Sequence, residues 1–171
     1  NLVKKVVYAS SSSVYGDAKE LPKKEIMYPR PKSPYALTKF VGEQYCRMFS
    51  QYYGLATACL RYFNVFGPKQ NADSEYAAVI PKFILSVLKN ERPVIYGDGE
   101  QTRDFTYVKD IVKSNILAAA SGVKDGTAIN IAYNQNISVN NLLKLINGIM
   151  GTEIEAVHND ARQGDIKDSL A

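Results

Sequence analysis

Two stretches of the chain, "KKVVYAS" (4–10) and "ATACLRYFNVF" (56–66), are nearly continuous apolar runs with a well-marked helix between them. A strand wet on one face alternates apolar and polar residues. A run apolar on both faces is typical of a strand covered on both sides, as in a parallel sheet. Ser33-Pro34 supplies a helix start, with the serine as cap and the proline at the first helical position. The predicted helix runs through "YALTKFVGEQYCRMFSQYY" and stops at Gly54, a residue suited to a left-handed C-terminal cap. Strand, crossing helix and second buried strand form a parallel βαβ unit, which commits the chain to an α/β fold.

The alternation continues beyond this unit. A helix is expected over about 77–90, a strand at "PVIYG" (93–97), and a further segment at "TRDFTYV" (102–108). A helix over 108–121, the strand "AINIA" (128–132), the helix "SVNNLLKLINGIM" (138–150) and a short strand near 153–157 follow. Asp110 is a candidate cap for the helix that begins beside it.

Four serines close the first apolar run, in "YASSSSVYGD" (8–17). In open α/β sheets ligands bind beyond the carboxyl ends of the strands, so these hydroxyls are candidates for ligand contact. Capping or turn-forming serines are the alternative reading. Tyr35 and Lys39 stand four apart at the start of the best helix, on one face. An ammonium beside a phenol favours the phenolate, a general base able to take a proton from an alcohol. Tyr-x-x-x-Lys occurs three times, but Gly16 interrupts Tyr15/Lys19, and Pro29 and Pro31 interrupt Tyr28/Lys32. Only Tyr35/Lys39 lies on a helix. Spacing alone is also that of a solvated helix face.

Composition narrows the partners. The 171 residues are 46% hydrophobic and 22% charged, and the net charge of +4 is too small to imply nucleic acid. The basic residues Lys23, Lys24, Arg30 and Lys32 fall in a proline-rich loop without interleaved aromatic platforms. No apolar run approaches the roughly 18 residues of a membrane span. Cys46 and Cys59 have no metal or redox spacing and are expected to be reduced core residues of a cytoplasmic protein. The lone His158 has no Cys or His partner, so no metal site is expected. The chain opens inside a strand pattern and stops at "GDIKDSLA" without a capping signal, so it is expected to be part of a longer polypeptide.

"YASSSSVYGD", "SPYALTKFVGE", "LRYFNVFGP", "YAAVIPKFI", "YGDGEQTRDFTYVKD" and "RQGDIKDSLA" occur in this order. Together they resemble the extended short-chain dehydrogenase/reductases, specifically the UDP-hexose 4-epimerases, and most of all UDP-glucose and UDP-N-acetylglucosamine 4-epimerases. The resemblance implies the C-terminal part of a Rossmann-like sheet plus a smaller mixed α/β substrate-binding region. Residues 1–67 would be the partial NAD-binding domain. Residues 68–171 would be mostly the nucleotide-sugar region, with some segments returning to the sheet. It implies Ser11, Tyr35 and Lys39 as catalytic residues, with Ser10, Tyr35, Lys39 and Tyr62 toward NAD. Toward a UDP-sugar it implies Ser11, Ser12, Asn64, Ala78, Val79, Val94, Tyr96, Arg103, Arg162, Asp165 and Ser169. The two arginines suit a diphosphate, because planar guanidinium forks bind it bidentately. Ser169, a small residue beside the sugar's 2-substituent, leaves room for an N-acetyl group.

The implied reaction is a reversible 4-epimerisation through a transient 4-keto sugar, in a homodimer packed through the Tyr35 helix. The family's glycine fingerprint is missing, since "GDGEQT" (97–102) lacks a third glycine. The chain alone is therefore expected to lack a complete NAD site. A sugar-nucleotide 4,6-dehydratase would want acids where Ser12 and Ser13 stand. A non-catalytic nucleotide-sugar-binding module is the reading outside the enzymes.

Overall fold

The computed structural model describes residues 2–72, 79–161 and 168–171. The expected βαβ unit forms. Strand β1 (Lys5–Ser11) leads through a short 3-10 helix (Ser12–Tyr15) and the loop 16–33 to α1 (Pro34–Tyr53). Strand β2 (Ala56–Tyr62) then lies parallel to β1, with Ser10 opposite Arg61 and Ser11 opposite Tyr62. Ser33 Oγ accepts the Ala36 amide at 3.1 Å, and Gly54 takes the left-handed C-terminal cap at φ 66°. Both helix ends are thus set by local chemistry.

The 56–66 run does not stay one strand. It breaks at Asn64, whose backbone has φ 23°, and resumes as β3 (Val65–Phe66). Beyond it lie α2 (Val79–Leu88), β4 (Val94–Tyr96), β5 (Thr102–Asp104), β6 (Thr106–Tyr107) and α3 (Val108–Ala120). The chain continues with β7 (Ala128–Ile131), β8 (Asn136–Ser138), α4 (Val139–Met150) and β9 (Val157–Asn159). The segment 102–108 splits because its two halves have different partners: β5 pairs antiparallel with β8 and β6 pairs parallel with β3. The last strand forms later than expected. Asn147 engages both the amide and the carbonyl of Ile154, holding that stretch as a loop, and only Val157–Asn159 reaches β4.

The main sheet has the order β1-β2-β7, all parallel. Period-2 alternation sends Tyr8, Ser10, Thr57 and Arg61 toward α1, which each of them meets through a hydrogen bond. Lys5 and Tyr62 point the other way and bond to α3 and its end. A second, apolar core gathers Phe83 and Val87 of α2, Ile95 of β4, and Val139, Leu142, Leu143 and Ile146 of α4. Among the described residues no helix is long and apolar enough to cross a membrane.

Candidate active site

The site is built where β1 ends against the first turns of α1. Tyr35, Lys39 and Glu43 follow at intervals of four, so one helical stripe carries all three. Gly42 lets this face approach the sheet. A Cβ there would lie 2.1 Å from the Tyr8 hydroxyl. Lys39 Nζ donates to the Ala9 carbonyl at 2.9 Å and stands 5.5 Å from the Tyr35 ring centroid and 5.7 Å from that of Tyr8. Ala9 takes one of the three ammonium donors. Tyr35 is 50% exposed, so its phenol faces solvent from beside a fixed cation. The Tyr8 phenol, in contrast, is pushed above its ordinary range by burial, with nearby Cys46, Cys59 and Glu43 acting in the same direction.

The serines divide their work. Ser10 is buried and its hydroxyl donates to Glu43 Oε1 at 2.5 Å, so that hydroxyl serves the interior. Ser11 Oγ accepts the Ser13 amide at 3.2 Å and so caps the 3-10 helix that Ser12 begins; both side chains are half-buried. The capping reading and the ligand reading of Ser11 coexist, because a hydroxyl that accepts one bond still has a proton to donate. Tyr62, across the sheet from Ser11, donates its hydroxyl to Asn115 Oδ1 of α3 at 2.9 Å.

A second cluster assembles from distant segments. Asn64 Nδ2 donates to the Asp104 carbonyl at 2.9 Å and to Ser169 Oγ at 3.0 Å. The Asp104 carboxylate, fully buried, accepts the amides of Tyr133, Asn134 and Ala171. Thr102 holds the tail, accepting Ser169 N at its carbonyl and donating its hydroxyl to Asp168 at 2.8 Å. Arg103 stands between Thr102 and Asp104 on β5, half-buried, and its Nη1 donates to the Thr102 carbonyl at 2.9 Å. Asn64 and Ser169 are thus brought together beside the strand that carries Arg103.

Val94 and Tyr96 occupy the face of β4 opposite buried Ile95, and Val79 packs at the edge of the α2–α4 core. Ala78, Arg162 and Asp165 lie outside the described residues. Asp110 sits in the first turn of α3 without capping it: the cap position is Tyr107, which makes no side-chain cap bond. Lys23 does not join a basic surface, because it is buried and its ammonium donates to the carbonyls of Ala18 and Glu20.

The residues that hold the site were not singled out from the sequence. Glu43 and Arg61 form a buried bidentate pair, Nε to Oε1 at 2.8 Å and Nη2 to Oε2 at 2.7 Å. Arg61 Nη1 donates to Tyr15 OH at 2.8 Å, and that hydroxyl donates to Asn130 Oδ1 at 2.7 Å. Burial works against the Arg61 charge, but the bonds to Glu43 and Tyr15 outweigh it and hold the guanidinium pKa above its ordinary value. One signal was available: an arginine inside the apolar run "ACLRY" must be paired if the strand is buried.

These features can be set beside known proteins. Residues 1–132 match the family described as NAD dependent epimerase/dehydratase. The chain belongs to this family. The UDP-N-acetylglucosamine 4-epimerase of Methanobrevibacter ruminantium M1, solved in complex with UDP-N-acetylmuramic acid, is 50% identical with a TM-score of 0.95. That match covers 98% of this chain and 54% of that one. The UDP-glucose 4-epimerase of Thermotoga maritima, solved with UDP-glucose, is 38% identical with a TM-score of 0.92 over 98% of this chain and 54% of its own. A UDP-glucose 4-epimerase of Mycolicibacterium smegmatis is 34% identical over 98% of this chain and 53% of its own length. The epimerase/dehydratase chain described here therefore spans about half the length of the curated relatives it matches. Its parallel sheet with helices on both faces is the α/β arrangement expected from the strand pattern and the Rossmann-like one implied by the resemblance.

Proposed function

We propose that this chain forms the catalytic end and the substrate side of an NAD-dependent UDP-hexose 4-epimerase. The observation that carries the reading is Lys39: its ammonium is pinned to the Ala9 carbonyl, two residues before Ser11, and stands over the Tyr35 ring. Proton acceptor and cation are thereby held beside the end of the strand that carries Ser11. The donor set suits the nicotinamide-ribose end of NAD, with ammonium donors and a half-exposed phenol at the strand terminus. When bound, NAD supplies a reversible hydride acceptor for carbon 4 of the sugar. Tyr35 would take the proton of the sugar 4-hydroxyl as that carbon is oxidised and would return it to the same oxygen as the carbon is reduced. Lys39 stabilises the negative charge on the phenol oxygen, and Ser11 donates a hydrogen bond to the sugar oxygen.

Residues 1–67 form the catalytic end and 68–171 mostly the nucleotide-sugar region; Asn64, near the end of the first, and Arg103 in the second face the diphosphate. The small Ser169, held by Asn64, favours a substrate range that includes N-acetylhexosamines. The exposed stripe Leu37, Val41, Tyr45, Met48 and Tyr52 on α1 is where a second copy of the protein packs.

The test places the chain in a polypeptide that also supplies the half its relatives possess. UDP-glucose and UDP-galactose should interconvert, followed by separation of the products, and Tyr35→Phe should stop the exchange. A 4-keto-6-deoxy product would instead make the protein a dehydratase. Binding of UDP-sugar without turnover would make it a binding module.

A further inference from the structure

We infer that the buried Glu43–Arg61 pair is a registration device: it fixes where α1 stands along the sheet, and so places Lys39 and Tyr35 for catalysis. This deepens the epimerase reading above and rests on it.

Elsewhere α1 meets the sheet through single bonds, Tyr8 to the Thr38 carbonyl, Thr57 to the Cys46 carbonyl and Lys39 to the Ala9 carbonyl, with Phe40 against Val14, Tyr15 and Phe63. The buried residues of α1 are Ala36, Glu43 and Cys46, with Gly42 packed on Tyr8. Small residues permit close approach but make shallow knobs, so ridge-into-groove packing resists sliding and rolling only weakly here. Charge-assisted bonds in a fork geometry do resist it. Arg61 grips both carboxylate oxygens of Glu43, and Ser10 donates to Oε1 from the neighbouring strand. Ser10 and Arg61 are partners in the β1–β2 register. Glu43 is therefore held at the seam between the two strands, one residue short of Ser11 and Tyr62.

A helix rises about 1.5 Å per residue, so a slip of one residue would break the bidentate contact. Two helical turns toward the N-terminus the same stripe carries Tyr35, with Lys39 between. The fork is itself anchored, since Arg61 Nη1 bonds to Tyr15 and Tyr15 to Asn130 of β7. One network thus spans β1, β2, β7, α1 and the 3-10 helix. Buried ion pairs often add little net stability over apolar replacements, and fixing register is their best-attested use.

Glu43 and Arg61 do not touch the proposed substrate; they are positioning residues. The test is the double variant Glu43→Leu/Arg61→Met in the full polypeptide, with Arg61→Lys beside it. Arg61→Lys keeps the charge and loses the fork, so it remains decisive if the double variant does not fold. We expect the double variant to keep its Tm within a few degrees, its kcat to fall on the order of 10²-fold, as an ångström-scale misplacement does, and its KM to stay within about threefold. A kcat within about threefold of the unsubstituted protein overturns the proposal. So does a loss of activity that tracks the loss of folded protein, which would leave the pair a structural role only.

A crystal structure of either variant supplies a readout that needs no activity. Lys39 Nζ should move off the Ala9 carbonyl; its retention there overturns the inference. If the unsubstituted protein does not epimerise UDP-hexoses, the functional reading falls alone, and this displacement still decides the registration claim.

Discussion

The two sides of this chain hold helices against their neighbours with opposite chemistry. On the α2–α4 side, Phe83, Val87, Leu142, Leu143 and Ile146 make a core of hydrocarbon alone. On the α1 side, the contact with the sheet combines small residues, alanine, glycine and cysteine, with single bonds to helix and strand carbonyls and a buried network of serine, glutamate, arginine, tyrosine and asparagine. Apolar packing is strong but non-directional, and it tolerates small adjustments. Hydrogen-bonded charge is directional and costly to leave unmatched. The proposed chemistry sits on the directional side, where a position must be held to within a fraction of an ångström.

The largest effect should separate function from stability. Tyr35→Phe removes one exposed hydroxyl, so kcat should fall by about 10²- to 10⁴-fold while Tm stays unchanged, as steady-state kinetics beside thermal unfolding would show. Phe83→Ala should do the reverse, costing about 3–5 kcal/mol in urea unfolding with little change in KM per folded molecule. If each substitution damaged both properties equally, the contrast between the sides would be false.

Alkaline pH should weaken the α1 side selectively. Burial raises the thiols of Cys46 and Cys59 and the phenols of Tyr8 and Tyr15 above their ordinary values. The unfolded chain releases these protons first, so their contribution is complete below the ordinary values, about 9 for the thiols and 10 for the phenols, and is lost as pH rises through the folded values. Lys23 runs the other way: burial lowers it, so stability gains as pH rises through the window below 10.5. The net fall in Tm above about pH 9 should shrink in Cys46→Ala/Cys59→Ala.

The smallest effect compares helix caps. Ser33 caps α1 and Ser138 caps α4 through the same bond to the third residue beyond. Each serine-to-alanine change should cost about 1 kcal/mol in denaturant titration. Only Ser33→Ala should also lower kcat, because only α1 carries the reacting groups.

Much of the fold was legible because its signals are local. The caps of α1, the buried character of β2 and the shared face of Tyr35 and Lys39 depend on residues within a turn or a strand of one another; β1, expected to be buried, is mostly half-buried with Ala9 exposed. The break at Asn64 was not legible, since Asp104 and Ser169 receive its side chain from 40 and 105 residues away. Nor was the division between Ser10 and Ser11, whose hydroxyls differ only by which side of β1 they leave.

By itself, then, the sequence determined the α/β alternation, the capped helix and the stripe on which the proposed base and its cation stand, because short-range propensity and periodicity suffice for these. The tertiary structure alone decided that Glu43 meets Arg61 and Ser10 at the seam of two parallel strands. A buried charge finds its partner through the crossing of chain segments, and that crossing is set by the packing of the whole sheet.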